Sequence, residues 1–210
     1  MRFVSLFLLT LTMMGCNRNQ TDQMSRFHED GRAKPSVAIA SMLDTTSFDT
    51  SWSLSEELTE GIIQHIASTK EFYVHTQDQS PFTENPFGGD LSWMKREFQG
   101  EEFVAFLELV EHEFTPAKVR GISAQEASSN LNMAVRVRVI DLRFDAPRIV
   151  LQEMIRDSYF VPKTLIPTDY SLDVWGTDGY RKSPMGLAHA GLVQEIARRI
   201  EDYILLSKGR

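Results

Sequence analysis

Three segments of this 210-residue chain carry its strongest structural signals: SVAIASML at 36–43, SLSEELTEGIIQHIAST at 53–69 and FYVH at 72–75. The first and third are short, apolar and rich in β-branched or aromatic residues, as buried strands are. The middle segment carries apolar residues at helical spacing, namely Leu54, Leu58, Ile62 and Ile66. Strand, helix and strand in such a short stretch predict a parallel βαβ unit.

The helix has a clear start signal. Ser53 followed by Glu56 three residues later forms a capping box, and Glu57 adds a negative charge that suits a helix N-terminus. We expect Glu56, Glu57 and Glu60 to lie on the outer, solvated face. Gly61 inside the helix has a small cost.

A loop is predicted for residues 76–90, which hold two prolines and a Gly-Gly pair. Two aromatic residues, Phe82 and Phe87, lie inside it. They either pin the loop onto the core or form an exposed surface for a partner protein. A short helix is predicted over residues 91–98.

Three strands are predicted next, over residues 103–114, 131–144 and 148–159. The second alternates in polarity and predicts a half-exposed strand with Arg136 and Arg138 on one face. Opposite-charge pairs across the strands would stabilise that face.

The C-terminal part combines a loop and a helix. Residues 161–184 contain three prolines and predict an ordered loop, in which Trp175 is either buried or an anchor for a partner. Residues 184–207 form a long amphipathic pattern that can cover a sheet. The sequence therefore predicts an α+β fold, an α/β sandwich. Its mixed sheet starts with the βαβ unit and continues with antiparallel strands, and the single globular domain spans 36–208.

The N-terminal stretch RFVSLFLLTLTMMGC, from Arg2 to Cys16, predicts a secretory signal. Its apolar run is too short to span a bilayer, which takes roughly 20 residues. Its end resembles the lipobox of bacterial lipoproteins, and this resemblance implies removal of residues 1–15 and acylation of Cys16. The polar residues 16–35 are predicted to be a lipidated, flexible tether. An ordinary cleaved signal beside a chance cysteine is the alternative.

The composition limits the classes of function that the chain can have. After removal of the predicted signal, the chain contains 21 basic and 29 acidic residues, a net charge of −8, which argues against nucleic-acid binding. Cys16 is the only cysteine, so once it is acylated, cysteine catalysis and cysteine-ligated zinc are excluded.

No common catalytic, metal-binding or cofactor motif occurs, so we predict no cofactor and no metal. The one polar group of interest is Glu108 with His112, whose even spacing on a strand would place both on one face. A solvated strand face is the ordinary interpretation of that pair. His189, on the last helix, is interpreted as a partly buried or surface histidine.

The order of lipoprotein signal, polar tether, SVAIASML strand, LSEELTEGIIQHI helix and FYVH strand resembles a known small α/β domain. Curli-secretion lipoproteins, penicillin-binding-protein activator lipoproteins and the N-terminal domain of the Tol-Pal translocation protein share this domain. The resemblance implies a non-enzymatic module that binds envelope proteins. An envelope hydrolase acting on peptidoglycan or esters, or a small-ligand carrier, is the alternative. Asn17, instead of the aspartate that retains lipoproteins at the inner membrane, favours the outer membrane.

Overall fold

A computed structural model describes residues 26–76, 84–117, 128–165 and 174–209. Its strands form one six-stranded mixed sheet in the order β3-β1-β4-β5-β6, with β2 also paired to β4. The strands are β1 (Ser36–Ile39), β2 (Leu43–Asp44), β3 (Tyr73–Thr76), β4 (Phe103–Pro116), β5 (Ser129–Asp141) and β6 (Arg148–Val161). The helices are α1 (Leu54–Thr69), α2 (Met94–Glu97), α3 (Asp178–Lys182) and α4 (Pro184–Lys208). The predicted α+β class is confirmed.

The βαβ unit is confirmed in detail. β1 pairs in parallel with β3, with Ser36 opposite Tyr73, and also in parallel with β4. α1 connects β1 to β3, and the Ser53 side chain accepts a hydrogen bond from the Glu56 backbone N–H at 3.2 Å. This bond satisfies one of the backbone donors that every helix leaves open at its start. The helix ends at Lys70, which adopts the left-handed conformation with φ of 60°.

Two helices cover one face of the sheet, here called the helix face. α1 and α4 pack on each other and on the inward side chains of the long strands, and this face holds the larger apolar core. All four predicted stripe residues of α1 are buried in it. Gly61 has a packing role there, because a Cβ at this position would lie only 3.1 Å from a methyl carbon of Val193 on α4. The glycine therefore lets the two helices approach closely.

The opposite face of the sheet, here called the second face, carries a smaller apolar cluster. Residues 87–98, which contain the short helix α2, cover part of it. The buried members of this cluster are Ala38, Ala40, Trp93, Met94, Phe98, Val104, Phe106, Ile140 and Leu142. Because of this cover, β5 is buried on both faces along most of its length, and the prediction of a half-exposed strand is wrong.

The predicted loop at 161–184 contains two short helical elements in its described part, a 3-10 turn at Lys163–Leu165 and helix α3. α3 runs directly into α4 through Ser183, which caps α4. Gly186 lies against this junction, where a Cβ would overlap the carbonyl oxygen of Tyr180. The short connection fixes Tyr180 over the start of α4.

The predicted signal at 1–15, Cys16 and the first half of the predicted tether lie outside the described residues. Residues 26–35, also assigned to the tether, form a tight turn in which Phe27 bridges Ala33. The guanidinium of Arg26 stacks on the Tyr73 ring, 4.8 Å from its centroid. In the part of the chain that the structure covers, no helix is both long and apolar enough to cross a bilayer.

Candidate functional site

Four polar side chains meet inside the helix face and form what we call the Glu57 cluster: Glu57, His112, Tyr180 and His189. They come from α1, β4, α3 and α4 respectively. Each is almost completely buried, with exposed fractions of 2–7%. Buried ionisable groups require partners, because the loss of hydration is not otherwise compensated.

Glu57 is the acceptor at the centre of the cluster. Its Oε1 accepts a hydrogen bond from the Tyr180 hydroxyl at 2.5 Å and lies 2.8 Å from His189 Nδ1. Its Oε2 accepts a hydrogen bond from Trp52 Nε1 at 2.7 Å. Burial by itself would raise the pKa of Glu57, but the hydrogen bonds and charge of His189 and the hydrogen bonds from Tyr180 and Trp52 bring it below its ordinary value. Glu57 is therefore a carboxylate.

The two histidines continue the chain of hydrogen bonds. His112 Nε2 lies 2.8 Å from His189 Nε2. Burial is the main cause that lowers the pKa of His112 to about 3, and the neighbouring His189 adds to the effect. His112 is thus neutral at ordinary pH. Its other ring nitrogen, Nδ1, is buried and has no hydrogen-bond partner among the residues that the structure describes.

These contacts suggest a proton assignment. Because the Glu57 carboxylate can only accept, the Nδ1–H of His189 donates a hydrogen bond to its Oε1. A hydrogen bond between the two Nε2 atoms needs a proton on only one of them, so one imidazole donates and the other accepts.

The cluster resembles a carboxylate–histidine relay in connectivity but is closed to solvent. A substrate could not reach the imidazoles without separating α1, α3 and α4. Among the described residues, no group of three or more His, Cys, Asp and Glu side chains has an arrangement that could hold a metal ion. The contacts therefore favour a structural role, joining three helices to the sheet.

Two expectations about polar residues need correction. Glu57 does not lie on the outer face with Glu56, because it is three residues after Leu54 and falls on the buried stripe. Glu108 and His112 do not share a face, because the strand register shifts between Leu109 and Glu111. The shift turns His112 toward α4, whereas Glu108 forms an ion pair with Arg136 on the second face at 3.1 Å. Glu108 and His112 therefore do not form a common site.

Helical spacing could have identified two members of the Glu57 cluster. His189 is three residues before Leu192 on the apolar face of α4, just as Glu57 follows Leu54. A polar residue on an apolar stripe indicates a buried partner elsewhere. The sequence contains no comparable signal for Tyr180, which lies in the predicted loop, or for the register shift that turns His112 inward.

Trp175 lies at the rim of a groove beside α1. The groove, of about 660 Å³, lies at the end of the sheet where β1 finishes and is lined by Trp175, Ile63, Thr59, Ser41 and Gln64 among others. Trp175 is half-buried and packs against the core of the helix face. It therefore combines the two interpretations of the sequence: part of the ring supports the fold and part remains accessible.

Phe87 is half-buried on the second face, and Phe82 lies outside the described residues. The guanidinium carbons of Arg136 and Arg138 lie 5.3 and 5.5 Å from the centre of the Phe87 ring. Arg138 also donates to the backbone oxygens of Pro86 and Gly88, at 3.0 and 2.7 Å. This segment is thus fixed to the sheet, and the structure does not bring Phe87 and Trp175 together, since they lie on opposite faces.

Comparisons with known proteins find a structure of similar fold. The hypothetical protein CT253 from Chlamydia trachomatis is 25% identical, with a TM-score of 0.67 over 82% of this chain and 98% of that chain. Lipoprotein GNA1162 from Neisseria meningitidis, 12% identical, has a TM-score of 0.38 over 78% of this chain and 99% of that one. TolB from Acinetobacter baumannii, 10% identical, has a TM-score of 0.41 over 83% of this chain and 28% of that one.

No curated protein matches this chain. Residues 23–208 match the model of a family described as "Family of unknown function (DUF7499)". The match spans most of the sequence, including all the strands and helices described above. The chain therefore belongs to the DUF7499 family.

Proposed function

We propose that this protein is a lipid-anchored binding protein of the bacterial cell envelope, acylated at Cys16, that assists the assembly or regulation of an envelope complex. The observation that carries the proposal is the segment from Arg2 to Cys16, with its order of one basic residue, an apolar run, glycine and cysteine. Two or more acyl chains give a stable membrane anchor, which a single chain does not. Asn17 favours placement in the outer membrane, facing the periplasm.

The groove at Trp175 is the binding surface that the geometry supports best. Its lining mixes the apolar Ile63 and Trp175 with hydroxyl and amide groups, as protein interfaces do. A half-exposed tryptophan beside a groove is a typical anchor for a partner side chain or segment. The Glu57 cluster lies directly behind α1 and holds this helix in place.

Metabolic labelling with a fatty-acid analogue tests the anchor. Wild-type protein should incorporate the label, and Cys16→Ser should not. Equal labelling of the two proteins would overturn the proposed lipidation.

Site-specific photocrosslinking in cells tests the binding surface. A photoreactive residue at Gln64, on the groove, should form a discrete adduct with an envelope protein that is lost in Trp175→Ala. The matched control is the same photoreactive residue at exposed Arg198 on α4, away from the groove. Adducts that persist in Trp175→Ala, or that form equally from Arg198, would contradict the assignment of the groove.

A further inference from the structure

One end of the sheet, here called the tether end, is where the N-terminal segment enters the folded region. β1, β3 and β4 begin at this end, β5 finishes there, and the turn at 142–147 leads into β6. Helix α4 also ends there, because Arg143 donates a hydrogen bond to the Ser207 carbonyl oxygen at 3.1 Å. The turn at 26–35 lies at the same end, since the Tyr73 N–H donates to the Pro35 carbonyl oxygen at 2.9 Å.

Large apolar side chains are exposed at the tether end. Leu206 is 63% exposed, and Leu205, Phe144 and Ile149 are 40–45% exposed. They come from the last turn of α4, from the β5–β6 turn and from the start of β6, which the Arg143–Ser207 contact holds together. A group of exposed apolar side chains on a folded protein indicates a contact surface.

Charged residues of both signs lie at this end. Arg143 lies 2.6 Å from Asp141 and Lys208 lies 3.3 Å from Glu102, whereas the exposed Asp145 lies between Phe144 and Arg148 in the turn. Arg148 stacks on Phe144, with its guanidinium carbon 3.9 Å from the ring centroid. Cations beside exposed aromatic and leucine side chains are the composition that membrane interfaces favour.

We propose that the tether end docks on the phospholipid surface of the membrane that holds the Cys16 lipid. This inference depends on the proposed lipid anchor. Cys16 and Arg26 are ten residues apart, which limits their separation to about 35 Å at full extension. The anchor therefore keeps the tether end close to the bilayer. Phe144, Leu205 and Leu206 insert among the headgroups, and Arg148 contacts lipid phosphates.

The docked orientation has a consequence for the groove. Trp175 and Ile63 line a groove at the opposite end of the sheet, where β1 finishes. Docking through the tether end directs this groove away from the membrane. The bilayer would thus orient the binding surface, and not only hold it nearby.

Fluorescence quenching of the full-length lipidated protein in vesicles tests this orientation. An environment-sensitive dye is attached through Leu206→Cys in one sample and Leu187→Cys in the other. The two positions are matched, because both are exposed leucines on α4 at opposite ends of the helix, with exposed fractions of 63% and 48%. The vesicles contain phosphatidylglycerol in phosphatidylcholine, and the quencher is water-soluble.

We expect the dye at position 206 to be quenched several-fold less than the dye at position 187. Phe144→Glu should remove most of that protection, and Phe144→Leu should retain it. Equal quenching at both positions while fatty-acid labelling remains intact would overturn the docked orientation and leave the lipid anchor standing. Lack of fatty-acid labelling would overturn the anchor itself, and greater protection at position 187 would reverse the orientation.

Discussion

The two faces of the sheet both bury an ionised side chain, but they satisfy it in different ways. On the helix face, Glu57 is held by side chains from three other elements or loops, namely Trp52, Tyr180 and His189. On the second face, Arg138 is 5% exposed and donates to backbone carbonyl oxygens of the irregular segment that covers it. The first arrangement links helices to one another, whereas the second fixes one segment to the sheet.

This difference indicates which parts of the domain unfold together and which can open locally. Disruption of the Glu57 cluster affects α1, α3, α4 and β4 together, so it should lower the stability of the whole domain. Loss of the Arg138 contacts affects mainly the segment around Pro86 and Gly88. Regions with few long-range contacts open locally without global unfolding.

The largest effect is expected for Glu57→Ala. Removal of the carboxylate leaves Tyr180, Trp52 and His189 without their buried acceptor, which should lower the free energy of unfolding by about 4 kcal/mol. Urea denaturation monitored by circular dichroism measures the loss. Glu56→Ala is the matched control, one residue away but exposed, and should change stability little. Similar losses in the two variants would show that the buried Glu57 contributes no more to the free energy of unfolding than the exposed Glu56.

A smaller and local effect is expected for Arg138→Met. The methionine fills part of the space but leaves two backbone carbonyls without a donor, at a cost of about 2 kcal/mol. Hydrogen exchange should speed up over residues 84–98 and remain unchanged in α1 and α4. The control is Arg156→Met, an exposed arginine on the edge strand β6, which should leave exchange over residues 84–98 unchanged. Faster hydrogen exchange throughout the domain would contradict the proposed difference between the two faces.

The pH dependence of stability should trace to His112. The pKa of this residue is about 3 in the folded state and near 6.5 in the unfolded chain, so only the unfolded state binds the proton between these values. Stability therefore falls as the pH drops below about 6.5, by up to about 1.4 kcal/mol per unit. The lowered pKa of Glu57 acts in the same direction at lower pH, because its protonation removes the acceptor.

Thermal unfolding across this pH window tests the assignment. His112→Gln should flatten the decline between pH 6.5 and 4.5 that the wild type shows, because the unfolded chain then lacks this proton-binding site. His65→Gln on α1 serves as the histidine control and should keep the decline. An unchanged slope in His112→Gln would assign the acid sensitivity to other groups.

The smallest effect is expected at the start of α1. Ser53→Ala removes the acceptor for the Glu56 N–H and should lower stability by about 1 kcal/mol, whereas Ser53→Asp should retain it. Because α1 belongs to the helix face, this loss should appear in global unfolding. A loss confined to exchange in the first turn of α1 would show that the helix face is less cooperative than proposed.

Much of the fold could be predicted, because its signals are local. The stripe from Leu54 to Ile66, the Ser53 cap and the long apolar strands each depend on neighbours within a few residues, and all match the structure. The burial of β5 on both faces could not be predicted. It depends on which segment covers Arg138, and the Pro- and Gly-containing residues 84–90 lack any periodic pattern to indicate a target.

The same distinction between local signals and long-range contacts applies to the candidate site. The order of residues along the chain predicts the export signal that ends at Cys16, and the local spacing of apolar residues is enough to specify the βαβ unit. The meeting of Glu57, His112, Tyr180 and His189 is set by tertiary structure alone, since Glu57 and His189 are 132 residues apart. The register shift after Leu109 turns one side chain to the other face, and the short α3–α4 junction places Tyr180. Both are consequences of packing between distant segments, which no local pattern records.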